Sequence, residues 1–155
     1  MAQQSLEYGF RQGTDKGLFA LPMAASQVLK KAGGGYVYTD ASGNGVIAGA
    51  TNTGIVGHLR LTEDFTCSAT AGATVLPCDY SLESVYELPL GSASTWADTQ
   101  IGNACDLIIE SNVQRVNLNG NTDKTMLVVG KGFTNAAGTV LSALVRINPS
   151  ALVQR

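Results

Sequence analysis

Charge is scarce in this chain. Only 14% of its 155 residues are Asp, Glu, Lys or Arg, so 10 basic and 12 acidic side chains have a whole surface to cover; an average soluble domain carries about 25%. Such a thinly charged exterior suits a protein that is partly covered by copies of itself or by a larger assembly. The net charge of −2, with Lys30-Lys31 as the only adjacent basic pair, argues against nucleic acid as the main partner. Neutralising phosphates takes clustered Lys and Arg. Long apolar runs are missing too: stretches such as Met126-Leu127-Val128-Val129 fall far short of the ~20 residues a spanning helix needs. The start, Met1-Ala2-Gln3-Gln4-Ser5-Leu6-Glu7, lacks the basic and apolar segments of a secretory signal, so the expectation is a protein made and left in a reducing cytoplasm.

Ligating and nucleophilic side chains are few. Cys67, Cys78 and Cys105 are odd in number and form no CxxC spacing, which fits neither a disulfide framework nor a zinc site. Buried thiols are the expectation, with a Cys67 to Cys78 pairing across neighbouring strands left open. His58 is the single histidine, which excludes HExxH zinc sites and two-histidine metal centres. No GxSxG elbow accompanies it, and its alternation with Arg60 and Thr62 predicts a solvated or interface histidine on a polar face. Gly43-Asn44-Gly45 with Gly49 lacks both the GxGxxG spacing and a Lys-Ser or Lys-Thr pair, so it reads as a hairpin turn rather than a phosphate loop. Glu63-Asp64 reads as a solvated loop pair, and calcium loops of the DxDxDG kind are absent. Asp79, Glu83, Glu87, Asp98, Asp106 and Glu110 have no spacing that favours a general acid/base pair, although convergence in space stays open. No catalytic residue, metal or cofactor is expected.

What the chain does have is glycine, 18 residues of it, with only 6% aromatics, as turn-rich all-β modules tend to show. Residues 1–35 and 36–155 read differently. In the first part Tyr8, Phe10, Leu18, Phe19, Leu21 and Met23 are spread among Gly9, Gly13, Gly17 and Pro22 without a period of 2 or 3.6. Pro22 before Met23 to Lys31, Lys30-Lys31 near its end and Gly33-Gly34-Gly35 after it predict a short helix and a glycine hinge. From Tyr36 onward short strands are predicted at Tyr36 to Thr39, Ile55 to Thr62, Ala73 to Leu76, Leu82 to Leu88, Asp106 to Glu110, Val113 to Leu118, Thr125 to Val129 and Leu141 to Ile147. In the second of these, Ile55, Gly57, Leu59 and Leu61 share a face. Asp40 to Gly45 reads as a hairpin turn, Ser111-Asn112 and Asn119-Gly120-Asn121 as turns of a three-strand meander, and Ser94 to Asn103, with Trp96, as one helical turn closing a barrel end. The expected fold is therefore all-β, a compact antiparallel barrel or sandwich with an extended N-terminal arm and one or two short helices.

Exposing the arm to water would be costly, at ~1.5–3 kcal/mol for each large apolar side chain that could be buried. The arm is therefore expected to dock on a partner surface through Tyr8, Phe10, Arg11, Leu18, Phe19 and Leu21, and its removal (residues 2–22) is expected to leave the β domain folded. Over Tyr36 to Ile147, with Gly54-Ile55-Val56-Gly57-His58-Leu59-Arg60-Leu61, Cys105-Asp106-Leu107-Ile108-Ile109-Glu110, Val113-Gln114-Arg115-Val116-Asn117-Leu118 and Thr125-Met126-Leu127-Val128-Val129-Gly130-Lys131, the chain resembles the small head decoration, or cement, proteins of tailed bacteriophages. The resemblance implies a non-enzymatic virion protein on the capsid exterior. It would bind the major capsid protein, often as a homotrimer at local three-fold points, and brace the shell against internal DNA pressure. It brings no catalytic residues and no cofactor. A phage tail or fibre component, and a small β-barrel ligand-binding module or enzyme, are the alternatives.

Overall fold

The computed structural model describes residues 9–12, 18–31, 35–50 and 54–152. Runs rich in β-branched and aromatic residues, parted by Gly, Asn and Ser, form strands throughout, and the fold is all-β as expected. Six antiparallel strands make one sheet in the order β1 (Gly9–Gln12), β9 (Val85–Pro89), β13 (Ser142–Ile147), β12 (Met126–Lys131), β10 (Ala104–Glu110) and β11 (Val113–Asn117). Five make a second, in the order β2 (Leu18–Pro22), β8 (Val75–Asp79), β6 (Gly57–Leu59), β4 (Tyr36–Thr39) and β5 (Gly45–Ile47). The pair β3 (Val28–Leu29) and β7 (Phe65–Thr66) stands apart. Met23, directly after β2, bridges to Gly45 at the start of β5, so the edges of the five-stranded sheet meet and the sheet curls into a half-barrel. Gly45 permits that close approach: a Cβ would lie 2.6 Å from Leu21 Cδ2 and 2.8 Å from Met23 Sδ, so both buried side chains would have to shift.

Two cores result, and consecutive residues of one strand serve different ones. Leu21, Met23, Leu29, Val37, Leu59, Cys67 and Cys78 fill the half-barrel. Tyr36, Ala48 and Ile55 instead pack with Tyr86, Leu88, Leu107, Val116, Met126 and Val145 between the half-barrel and the six-stranded sheet. Successive side chains point to opposite faces of a strand, so a strand buried on both faces shows no clean alternation of apolar and polar residues. This is why Ile55 to Thr62, whose alternation suggests a half-buried strand, has buried residues on both sides from Ile55 to Leu59.

Several local expectations change. Met23 to Lys31 is no helix: a turn with Ser26 in the left-handed region (φ 58°) leads into β3, whose Leu29 belongs to the half-barrel core. Pairing of Val28 with Thr66 and of Leu29 with Phe65 overrides the helix signals. The lysines that suited a helix end serve Asp64 instead, through Lys30 Nζ at 3.2 Å and the Lys31 amide at 3.0 Å. These contacts, the Lys31 amide foremost, hold the Asp64 carboxyl below its ordinary range. The meander is also revised. Ser111 and Asn112, both at positive φ (53° and 62°), close a tight hairpin between β10 and β11, but β12 pairs with the other edge of β10, Ala104 opposite Leu127. The interval from Ser94 to Asn103 holds a 3-10 turn, Asp98–Gln100, with half-buried Trp96 packed on the core between the half-barrel and the six-stranded sheet and its Nε1 donating to Asp98 Oδ1 at 2.9 Å. Asp40 turns the β4–β5 hairpin as expected: its Oδ1 accepts from the amides of Ser42 and Asn44, both at 2.9 Å.

Cys67, Cys78 and Cys105 are buried thiols that form no disulfide. Cys67 follows β7 and Cys78 lies in β8, in different sheets, so they are not cross-strand partners. Burial pushes the Cys105 thiol up to about 12 and raises that of Cys67. A thiol reagent at neutral pH is therefore expected to label none of the three at an appreciable rate until denaturant is added, which a time course with and without urea checks. Among the described residues no helix is long and apolar enough to cross a membrane.

Candidate functional site

His58 is where the structure departs furthest from expectation. It is 5% exposed, not solvated, because β6 lies at the centre of the five-stranded sheet with the six-stranded sheet over the His58 side. Its ring stacks on Tyr86 of β9 at 3.6 Å and 14°, and meets Tyr36 of β4 edge-on at 4.5 Å. Nδ1 lies 2.6 Å from the Leu59 carbonyl oxygen, which makes Nδ1 the donor, while Nε2 is buried without a hydrogen-bond partner. Gly35 leaves the room this needs, since a Cβ there would come within 2.2 Å of His58 Cε1. Burial drives the imidazole down to about 3, so it is neutral at physiological pH. With its proton held by the Leu59 carbonyl, Nε2 unpartnered and no open face, it has no route to a substrate.

Beside it, Asp79 ends β8 where Tyr80 to Ser84 carry the chain into the six-stranded sheet. Its Oδ2 accepts from Arg60 Nη2 at 3.0 Å, Ser84 Oγ at 2.7 Å and Tyr86 Oη at 2.8 Å, and its Oδ1 accepts from the Ser81 amide at 2.8 Å. Burial pushes the Asp79 carboxyl upward, but these four donors outweigh it and hold the group below its ordinary range. The other carboxylates are occupied in separate places. Glu87 Oε1 accepts from Ser142 Oγ at 2.5 Å and the Phe133 amide at 3.0 Å. Asp106 holds the loop after β11 by accepting from the amides of Thr122, Asp123 and Lys124. Glu110 takes Ser92 and, at 3.3 Å, Arg115 Nε. Each positions backbone or a cation, and no general acid/base pair is assembled from them. Among the described residues no group of three or more His, Cys, Asp or Glu is placed to hold a metal ion. A shallow groove of about 240 Å³ between Ser26, Gln27, Val28, Ile47, Ile109 and Asn112 is lined without an ionisable side chain.

Gln114 is the joint that sequence reading passed over. It is fully buried in β11, and its amide stands in for a strand pairing across the two sheets. Oε1 accepts from the amides of Gly35 (3.3 Å) and Tyr36 (3.0 Å), and Nε2 donates to the carbonyls of Tyr36 (3.0 Å) and Ala48 (2.8 Å). The signal was its parity: Gln114, Val116 and Leu118 share the inward face of one strand, where a polar residue needs partners.

The residues assigned to a docking arm divide three ways. Tyr8 lies outside the described residues, and Phe10 and Arg11 lie in β1, paired with β9, with their side chains not described. Leu21 is a correction: it is fully buried in this chain's own half-barrel, so it is not free to meet a partner. Phe19 is half-buried against the same core and faces Tyr80 at 5.7 Å. Leu18, by contrast, is 38% exposed. Removal of residues 2–22 would take away β2, which pairs with β8 over five residue pairs, together with core Leu21, so the β domain is not independent of this segment. Five consecutive apolar residues, Leu18 to Pro22, were the strand signal here.

Leu18 belongs to a surface that the sequence did not reveal. On β2 and β8 the register sets Leu18 opposite Asp79, Ala20 opposite Pro77 and Pro22 opposite Val75, all on the face turned away from the half-barrel core. The Asp79 end is covered by Ser84 and Tyr86, but beyond it Ala20 and Pro77 are exposed and Val75 is 54% exposed. The result is a rigid, uncharged apolar ladder on two paired strands. No protein-family model, curated protein or solved structure matches the chain significantly.

Proposed function

We propose that this chain is a structural virion protein that binds the outer surface of a tailed-phage capsid and stabilises the lattice of its major capsid protein, as a homotrimer and without catalysis. The observation that carries the reading is the uncovered apolar ladder of Leu18, Ala20, Val75 and Pro77 on a thinly charged all-β body. Apolar side chains held on a hydrogen-bonded pair of strands bring a backbone that is already ordered, so covering them costs side-chain rotamer freedom alone, which suits a permanent docking surface. The internal use of His58, Asp79, Glu87 and Asp106 supports the absence of catalysis. The virion setting rests on the resemblance of the strand segments to decoration proteins.

The test is co-sedimentation of the full chain with shells assembled from the major capsid protein of the same virus. Saturable binding and a raised shell disruption temperature are expected. The Val75→Asp variant, which places a charge on an exposed position, should change stability by no more than ~0.5 kcal/mol yet weaken shell binding by at least about tenfold. Binding unaffected by that variant would remove the ladder from the interface, and absence of any shell binding would overturn the function.

A further inference from the structure

We propose that the seam between the half-barrel and the six-stranded sheet is an acid-operated latch with His58 as its sensor: protonation opens this seam while the half-barrel stays closed. The proposal is independent of what the protein docks on. Its basis is the way His58 is enclosed. The ring lies between two sheets, stacked on Tyr86 from one and against Tyr36 from the other, 5% exposed. The neutral ring already places its proton on Nδ1, toward the Leu59 carbonyl oxygen. A second proton has only Nε2 to occupy, and that atom is buried without an acceptor.

The groups facing His58 give the cation no refuge. From β4 and β9 come the Tyr36 and Tyr86 rings, both neutral because burial pushes their hydroxyls well above the ordinary range. From β8 comes the Asp79 carboxylate, which favours a cation but already receives Arg60, Ser84, Tyr86 and the Ser81 amide. Arg60, two residues along the chain, is itself a cation and opposes a second. The seam is the weak plane on this account: a charged imidazole gains water only if Tyr86 and Tyr36 part, and that motion separates the sheets without disturbing Leu21, Val37, Leu59 or Cys78 inside the half-barrel.

Magnitude decides whether the effect is visible. An exposed histidine titrates near 6.5, against about 3 in the closed protein. The sign follows: the closed state's advantage is complete above 6.5 and declines as pH falls toward 3. Between pH 7 and pH 4.5 the open population should rise roughly 70-fold relative to the closed one. Asp79, held below its ordinary range, contributes only below about pH 4.

Hydrogen exchange on the full chain reads this directly. The Gly35 and Tyr36 amides bond to Gln114 across the seam, whereas the Met23 amide bonds to Thr74 and the Cys67 amide to Gln27 within the half-barrel region. Protection factors at Gly35 and Tyr36 are expected to fall roughly 70-fold from pH 7 to 4.5 while those at Met23 and Cys67 hold. In His58→Phe, which keeps a stacking ring without a titrating nitrogen, the fall should vanish; His58→Gln serves if that variant does not fold. Equal loss at all four amides, a fall that persists in the variant, or no fall at all would overturn the proposal. So would an imidazole proton resonance titrating near 6.5 in wild-type protein with Gly35 and Tyr36 still protected, a measurement that needs no variant.

Discussion

Replacing Gln114 by Ala is expected to lower the thermal midpoint by about 10–15 °C, through a stability loss of about 4 kcal/mol. One side chain makes four hydrogen bonds to backbone groups of Gly35, Tyr36 and Ala48, all buried. Truncation takes the side-chain partner from the Gly35 and Tyr36 amides and the Ala48 carbonyl, where water enters only by opening the space between the sheets, while the Tyr36 carbonyl keeps the Ala48 amide at 2.9 Å. Each buried group left unsatisfied costs ~1–3 kcal/mol, and partial relaxation keeps the total below the sum. Gln114→Leu tests the cause. It restores most of the volume and none of the hydrogen bonds, so a hydrogen-bond origin requires Leu to be nearly as damaging as Ala, and a packing origin requires Leu to recover most of the loss. Thermal and urea melts of the three proteins distinguish these outcomes, and a change below ~1 kcal/mol for Ala would mean that Gln114 does not join the sheets.

The second large effect is expected at Asp79. Asp79→Ala leaves the Ser84 and Tyr86 hydroxyls, the Ser81 amide and the Arg60 guanidinium without the oxygen atoms they now meet within 3.0 Å. Removing one partner of a buried ion pair typically costs ~3–5 kcal/mol because the other is left uncompensated. Arg60 is half-buried and regains some water, which places the expected loss toward the lower end. Asp79→Asn should lose less, since one side-chain oxygen remains to accept. The pH dependence has a definite sign. The folded carboxyl titrates below the unfolded one, so the stability it contributes is complete above about pH 4 and disappears as pH falls through its folded value. Urea midpoints measured from pH 5 down to pH 2.5 should show a steeper decline in wild type than in Asp79→Asn. Parallel curves would show that this carboxylate gains nothing from its partners.

Strand content was legible wherever one residue type dominated a short run. Tyr36 to Thr39 is a strand with the expected bounds, and Asp106 to Glu110, Val113 to Leu118 and Leu141 to Ile147 are each strands to within a residue or two. Their turns were legible for chemical reasons: Asp40 with Gly43 and Asn44, and Ser111 with Asn112, carry the side chains and conformational freedom that tight reversals need. Legibility ended at pairing. Nothing in the β10 to β12 segment says that β12 returns to the far edge of β10, because both neighbours of a strand offer the same backbone groups. The lysines before the glycine triplet were read as a helix end because the partner that claims them, Asp64, is 34 residues from Lys30.

His58 and Leu21 show the same limit on the functional side. A histidine alternating with Arg60 and Thr62 has a polar neighbourhood in one dimension. In three, its strand is central in a sheet covered on both faces, and the neighbourhood is Tyr36, Tyr86 and Asp79. Leu21 was one of several apolar residues in a segment without a period. The structure separates it from Leu18 by the pleat alone, burying one and exposing the other three residues away.

By itself the sequence determined the class of fold, the positions of most strands and turns, and the shortage of charge and ligating side chains, since these are properties of local composition and spacing. The tertiary structure decided which face of each strand is covered, that Gln114 joins the sheets, that His58 is sealed, and that Leu18, Ala20, Val75 and Pro77 form one open ladder. Those are outcomes of pairing between segments far apart in the chain. A β-strand carries no record of its neighbours beyond an alternation, and that alternation is erased when both faces are buried.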